Sequence, residues 1–275
     1  MKASTAIGIG VAFAGLAVGA LMEGASPAAF FNIPALLIVL GGTFGATFAG
    51  TTMEKIKLIP TLYKKAMSGE KPDSAAQLEL LVGFAERARR EGLLALDEEV
   101  ADLDDQFTRK GLQLVVDGTD PELVREILEN EIDGMAARHH AAVSPFEKAG
   151  GFAPTMGIIG TVMGLVHVLE NLDAPATLGP AISGAFIATL YGVGSANVVF
   201  LPTANKLKAM SAEEIELRAM TLEGILSIQA GDNPRVVSEK LMSLVPPAER
   251  VSAEDAKPNL RLADAPAADA AEAAA

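Results

Sequence analysis

The sequence has no cysteine, no tryptophan, only two tyrosines and only three histidines among its 275 residues. The want of cysteine agrees with a reducing compartment, and the want of tryptophan removes the usual aromatic anchors of a membrane interface. A more telling absence is charge. Residues 3–22, 24–53, 149–169 and 174–205 contain no Asp, Glu, Lys or Arg. At 1.5 Å per residue, about 20 apolar residues cross a bilayer core as a helix. A soluble fold can bury one such helix, but the remaining chain is too short to cover four. The blocks also lack the strict alternation of membrane-barrel strands. The expected fold is therefore an all-α integral membrane protein with four transmembrane helices.

Other absences narrow the chemistry. The net charge is −13, and no basic patch supports nucleic-acid binding. His139 and His140 are adjacent and have no Cys or His cluster around them, which argues against zinc and for a solvated helix end. "GTFGATFAG" (42–50) is glycine-rich but is followed by no GKS or GKT, so it is no phosphate cradle. No enzyme signature and no cofactor motif remains. No carboxylate lies inside any of the four blocks, although membrane proton relays commonly use one near the midplane. Thr161 and Thr189 are the central polar residues there, with His167 and Tyr191 nearer the helix ends. A hydroxyl can ligate an ion or hydrogen-bond a carboxylate, but it does not titrate at physiological pH. If this bundle moves protons, the titrating acid comes from another chain.

Positive charge orients what is present. Lys55, Lys57, Lys64 and Lys65 follow the second block, Lys148 precedes the third, and Lys206 and Lys208 follow the fourth. The connectors around Glu23 and at 170–175 have no Lys or Arg. The positive-inside rule puts both termini and the middle segment in the cytoplasm. The expected organisation is a hairpin of helices 1 and 2 (1–53), a cytoplasmic helical lobe (54–148), helices 3 and 4 (149–205), a cytoplasmic helical segment (206–247) and a disordered acidic Ala/Pro-rich tail (248–275). Within the lobe, Gly92 marks a turn before a helix over 93–103. Asp120 and Pro121 open another helix, Ser211 and Glu214 have capping-box spacing, and Asn233 with Pro234 starts the last one. Small residues recur about once per turn in every span: Gly15 and Gly19; Gly41, Gly45 and Ala49; Gly160 and Gly164; Gly184, Ala188 and Gly192. Such faces let helix backbones approach closely in lipid, as in a packed bundle or oligomer.

Three stretches carry a resemblance. "APTMGIIGTVMGLVHVLENL", "GAFIATLYGVGSANVVFLPTANKLK" and "ARREGLLALDEEV" resemble the third span, the fourth span and the cytoplasmic signature of the MotA/PomA family, the ion-channel stator subunits of the bacterial flagellar motor. The likeness covers roughly residues 1–245. It implies a multi-pass protein of the bacterial inner membrane, five copies of which form a ring around two copies of a MotB-like single-span partner that supplies a membrane aspartate. Ion flow past that acid turns the ring, and the cytoplasmic lobe pushes on the rotor protein FliG. The wider family includes ExbB- and TolQ-like energisers of outer-membrane processes, the alternative reading. Those relatives typically have three spans, so the hairpin of helices 1 and 2 favours the stator.

The resemblance also implies roles for particular residues. Pro154 in "FAPTMG" and Pro202 in "VVFLPTANK" shape the channel helices. Arg89 and Asp97 are the rotor-contact pair, with Arg90 and Glu98 as neighbouring candidates. Family members often have glutamate where Asp97 stands. Thr161 and Thr189 line the ion path. Sodium-driven members typically read "TTLYG" where this chain reads "ATLYG", so Ala188 removes a possible sodium ligand and the implied ion is H+, with Na+ as the alternative.

Overall fold

The computed structural model describes residues 4–68 and 72–245, and every regular element among them is helical. The expected tail, Lys2 and the proline pair 246–247 lie outside these residues. The elements are α1 (Ser4–Met22), a 3₁₀ turn (Pro27–Phe30), α2 (Ile33–Leu36), a π turn (Leu37–Gly41), α3 (Gly42–Ala49) and α4 (Met53–Ser68). Next come α5 (Ser74–Glu91), a 3₁₀ turn (Leu93–Leu96), α6 (Asp97–Ala101), α7 (Gln106–Val116) and α8 (Pro121–Glu170). The last are α9 (Pro175–Ser195), a π turn (Ala196–Phe200), α10 (Leu201–Gln229) and α11 (Pro234–Leu244).

Four helical stretches are long and apolar enough to cross a membrane: Ser4–Met22, Pro27–Ala49, and parts of Pro121–Glu170 and Pro175–Gln229. The first buries none of its residues. Ile7, Val11, Phe13 and Leu16 are all more than half exposed, a cost that lipid or neighbouring chains remove and water does not. Among the described residues, contacts divide the chain into two compact units, one within residues 1–71 and 135–213 and one within 72–134 and 214–275.

In the first unit, span 2 packs on span 4 through Ala35, Val39, Ile187 and Ala188, with Tyr191 against them. Below the spans a second cluster joins Ala66 of α4, Val143 and Phe146 of α8, and Ala204 and Leu207 of α10. Lys148 extends its Nζ to the carbonyl of Gly50, the residue that ends α3. A cation there satisfies an orphan carbonyl and opposes the negative end of the helix dipole.

The second unit is built around one hydrophobic core. Leu81, Leu96, Leu112, Leu128, Ile225, Ile228 and Leu241 are fully buried in it, each stabilising by about 1.5–3 kcal/mol against exposure. Asp105 caps α7 by accepting from the Thr108 amide and hydroxyl, and Arg218 of α10 donates to both of its oxygens at 2.6–2.7 Å. The same guanidinium sits 5.2 Å from the Phe107 ring centroid. Gln77 completes the layer by donating to Thr108 and Thr221.

Several expectations hold. Asp120 accepts from the Glu122 amide at the start of α8, Asn233 accepts from the Arg235 amide at the start of α11, and Gly92 is a turn with φ +89°. Others need correction. Residues 93–103 are a 3₁₀ turn followed by a short helix, not one helix. Ser211 caps nothing. It lies inside α10, where its hydroxyl meets Nδ1 of His139 at 2.9 Å. His139 is correspondingly part-buried in the interior of α8 and is no solvated helix end.

Candidate functional site

Glycine lets spans 3 and 4 meet backbone to backbone. A Cβ on Gly192 would lie 2.5 Å from the Ala153 carbonyl oxygen and 2.9 Å from the Gly157 Cα. One on Gly164 would lie 2.7 Å from the Ala185 Cβ. Side chains near the middle of both uncharged blocks are thereby forced together, and Thr161 meets Thr189 with 2.5 Å between their hydroxyl oxygens. Thr161 Oγ1 also lies 2.9 Å from the Ala185 carbonyl and 3.0 Å from that of Gly157. Both threonines are only partly buried.

This geometry has a definite hydrogen-bond logic, because each hydroxyl carries one proton. When Thr161 donates to a carbonyl, Thr189 donates to Thr161, and the Thr189 oxygen is left with lone pairs that accept. When Thr161 donates to Thr189 instead, the Thr189 proton is free to be given away. The pair can accept a bond from a protonated carboxylic acid or donate one to a carboxylate, with no backbone movement. It can follow an acid through its titration without titrating itself.

Ala188 is oriented elsewhere. It is 1% exposed in the span 2–span 4 cluster, and its Cβ lies 2.8 Å from where a Gly160 Cβ would stand. Adjacent residues on a helix project about 100° apart, so Ala188 and Thr189 face different neighbours. His167 stays at the exposed end of span 3, where its ring nitrogen is 3.4 Å from the Asn171 amide.

The two prolines lie inside helical rods. Pro154 is interior to α8 and removes the donor that would serve the Gly150 carbonyl. Gly150 packs closely on Leu201, the residue before Pro202. Pro202 sits at the second residue of α10, directly after the π turn, in which the Leu201 amide reaches the Ala196 carbonyl. The lost donor and the widened turn are one local device, a place where span 4 is not locked into α-helical register.

The charged candidates surround the end of α5 and the start of α6. Arg89, Arg90, Asp97 and Glu98 are all exposed. Asp97 accepts from Gln113 at 3.2 Å, whereas Arg87 binds both Glu91 and Glu99 across the turn. Beside Gln113 a shallow groove of about 390 Å³ is lined by Gln106, Arg109, Lys110 and Leu114.

Comparison with known proteins matches residues 99–220 to the MotA/TolQ/ExbB proton channel family and residues 6–92 to the N-terminal region of motility protein A. The chain is 39% identical to motility protein A of Bacillus subtilis over 252 residues, which is 91% of this chain and 93% of the relative. The chain belongs to the MotA/TolQ/ExbB proton channel family. A solved structure of the flagellar MotAB stator complex from B. subtilis superposes with a TM-score of 0.84 at 38% identity, covering 90% of this chain and 98% of that one. The structure of C. jejuni MotAB gives a TM-score of 0.85 at 29% identity, over 90% and 97%. Within the family the chain is a MotA-type stator subunit, a multi-pass inner-membrane protein whose work is ion transport for flagellar motility.

Two features of this MotA-type chain escaped the reading of its sequence. Tyr191 donates to the Phe30 carbonyl and accepts from the Asn32 amide at 3.2 Å, tying the entrance of span 2 to span 4. Asn32 in turn caps α2 through the Ala35 amide and lies where a Cβ on Gly184 would collide with it. The "TLYG" motif offered Tyr191, but nothing local offered its partner 159 residues away. Asp105 was likewise unmarked. Burial pushes its carboxyl up, yet the hydrogen bonds from Thr108 and Arg218 and the charge of Arg218 together hold it below its usual range.

Proposed function

We propose that this subunit conducts protons past the Thr161–Thr189 pair, beside an aspartate supplied by a MotB-like single-span partner. The observation that carries the reading is the paired hydroxyls near mid-span in a chain whose spans hold no carboxylate. A pair that can accept or donate suits an acid that alternates between neutral and charged. The family description, a proton channel, supports the same ion.

The finer assembly follows from the same reading. Five copies form a ring around two copies of the partner, with both termini and residues 54–148 in the cytoplasm. Arg89 and Asp97, with Arg90 and Glu98 beside them, meet the rotor protein FliG, and Pro154 and Pro202 let the channel helices respond to the ion. The test of the ion is motor speed in the assembled complex, with sodium withdrawn and the electrical gradient held constant, then with the proton gradient altered. Speed that follows the proton gradient and ignores sodium is the expected result. Rotation that stops without sodium and ignores protons contradicts the proton assignment.

A further inference from the structure

Span 2 begins at a break that its own helix cannot close. The 3₁₀ turn Pro27–Phe30 is followed by two extended residues, Phe31 and Asn32, and only then does α2 start. The break takes the Phe30 carbonyl and the Asn32 amide out of the helical ladder, inside an uncharged block where a bilayer offers backbone groups no partner. Tyr191 of span 4 serves both: its hydroxyl donates to the Phe30 carbonyl and accepts from the Asn32 amide at 3.2 Å. Beyond the break, α2 is only four residues long and passes straight into a π turn, so span 2 does not dock as one stiff rod.

Span 4 divides its surface between two neighbours. Gly184, Ile187, Ala188 and Tyr191 have the spacing i, i+3, i+4, i+7 of a single helical stripe, and all four meet span 2. Gly184 lies against Asn32, Ile187 and Ala188 pack with Ala35 and Val39, and Tyr191 closes the break. Ala185, Thr189 and Gly192 form a second stripe, one residue on and therefore rotated by about 100°. That stripe meets span 3, with Ala185 at Gly164, Thr189 at Thr161, and Gly192 at Ala153 and Gly157. Whatever holds the first stripe fixes the rotation of span 4, and with it the direction in which Thr189 points. The apolar contacts of Ile187 and Ala188 tolerate a small rotation, whereas the two hydrogen bonds of Tyr191 are directional. A side-chain atom about 5 Å from a helix axis moves about 1.7 Å when the helix turns by about 20°. A shift of that size breaks the 2.5 Å contact between Thr161 and Thr189.

We propose that Tyr191 is a positioning residue for ion transport. By latching the start of span 2 to span 4, it sets the rotation at which Thr189 meets Thr161. The proposal rests on the reading of the Thr161–Thr189 pair as the ion path. It gives Tyr191 no contact with the ion: the hydroxyl acts through the helix that carries Thr189.

The test is a double-variant cycle on ion flux through the complete stator complex, comparing wild type, Y191F, T189V and the two combined. Phenylalanine keeps the ring and removes only the hydroxyl. Tyr191→Phe is expected to lower flux by about fivefold to tenfold, the lower end of the bias that two neutral hydrogen bonds carry. In the T189V background the same change should lower flux no further, because the pair that it positions is already gone. A tyrosine that only stabilises the fold would lower flux by the same factor in both backgrounds. Gly184→Ala repeats the cycle from the other side and decides the matter should the Y191F complex fail to assemble. A Cβ there would lie 2.5 Å from Asn32 Nδ2, which loosens the same junction and leaves the Tyr191 hydroxyl in place; its loss of flux should also vanish in the T189V background. If Y191F conducts as wild type while T189V does not, the latch is wrong and the ion-path reading stands. Equal fractional losses with and without the Thr189 hydroxyl overturn the latch as well. If T189V conducts as wild type, the ion-path reading falls and the latch falls with it.

Discussion

Replacing the glycines between spans 3 and 4 by alanine should damage the subunit in an order fixed by distance. The nearest atom to an added Cβ is 2.5 Å away at Gly192, 2.7 Å at Gly164 and 3.0 Å at Gly157. An ordinary contact of about 3.4 Å then requires the helices to part by about 0.9, 0.7 and 0.4 Å. At Gly192 the obstacle is the Ala153 carbonyl and the Gly157 Cα, both backbone, so no side chain can swing aside. Overpacking of this kind typically costs about 1–3 kcal/mol, with Gly192→Ala at the upper end and Gly157→Ala at the lower. The functional effect is sharper. Thr189 lies one turn from Gly192, and a 0.9 Å separation stretches the 2.5 Å Thr161–Thr189 contact past the useful range for an O–H···O bond. Thermal unfolding of the detergent-purified complex and ion flux in membranes measure the two effects. Gly192→Ala with unchanged melting and unchanged flux would refute the idea that this close approach builds the site.

Three further outcomes are expected. Ala188→Thr adds two heavy atoms to a position already packed against Gly160, so it should cost about 1–3 kcal/mol and confer no sodium dependence, checked by melting and by motor speed in sodium-free medium. Gly92→Ala should cost about 1–3 kcal/mol in unfolding, because alanine rarely adopts its φ of +89° and ψ of 163°. Asp105→Asn should cost about 1–2 kcal/mol at neutral pH through a weakened cap and a lost ion pair with Arg218. Because the Asp105 pKa is depressed, its contribution is present above the ordinary aspartate value of about 3.9 and is lost as pH falls through the folded pKa. In an acid titration followed by circular dichroism, the variant should therefore converge on the wild type well below pH 4.

What the sequence disclosed depended on whether the cause was local. Four spans were legible because a bilayer imposes a length and forbids charge, and both demands act on contiguous residues. The starts of α8 and α11 were legible for the same reason, since Asp120–Pro121 and Asn233–Pro234 contain both cap and first turn. Ser211 and Glu214 had the same local pattern and misled, because the decisive neighbour was His139, 72 residues away. The small residues were read as one class but have two fates. Gly160, Gly164 and Gly192 are filled by the facing span, while Gly15, Gly19, Gly41 and Gly45 meet nothing within 4 Å among the described residues of their own subunit. At the site, residue type singled out Thr161 and Thr189, but only the packing shows that they touch. The packing also separates Ala188 from them, although it is adjacent to Thr189 in the chain.

The central claim is that the Thr161–Thr189 pair adjusts its hydrogen bonds to the protonation state of a partner's acid. Ion flux through the complete complex, compared among wild type, Thr189→Ser and Thr189→Val, tests this most directly. Serine keeps the hydroxyl and valine keeps the shape, so both variants should assemble. The account predicts near-normal flux with serine and flux reduced at least about tenfold with valine, the effect of losing one charge-assisted hydrogen bond. Equal flux through the serine and valine complexes would contradict it.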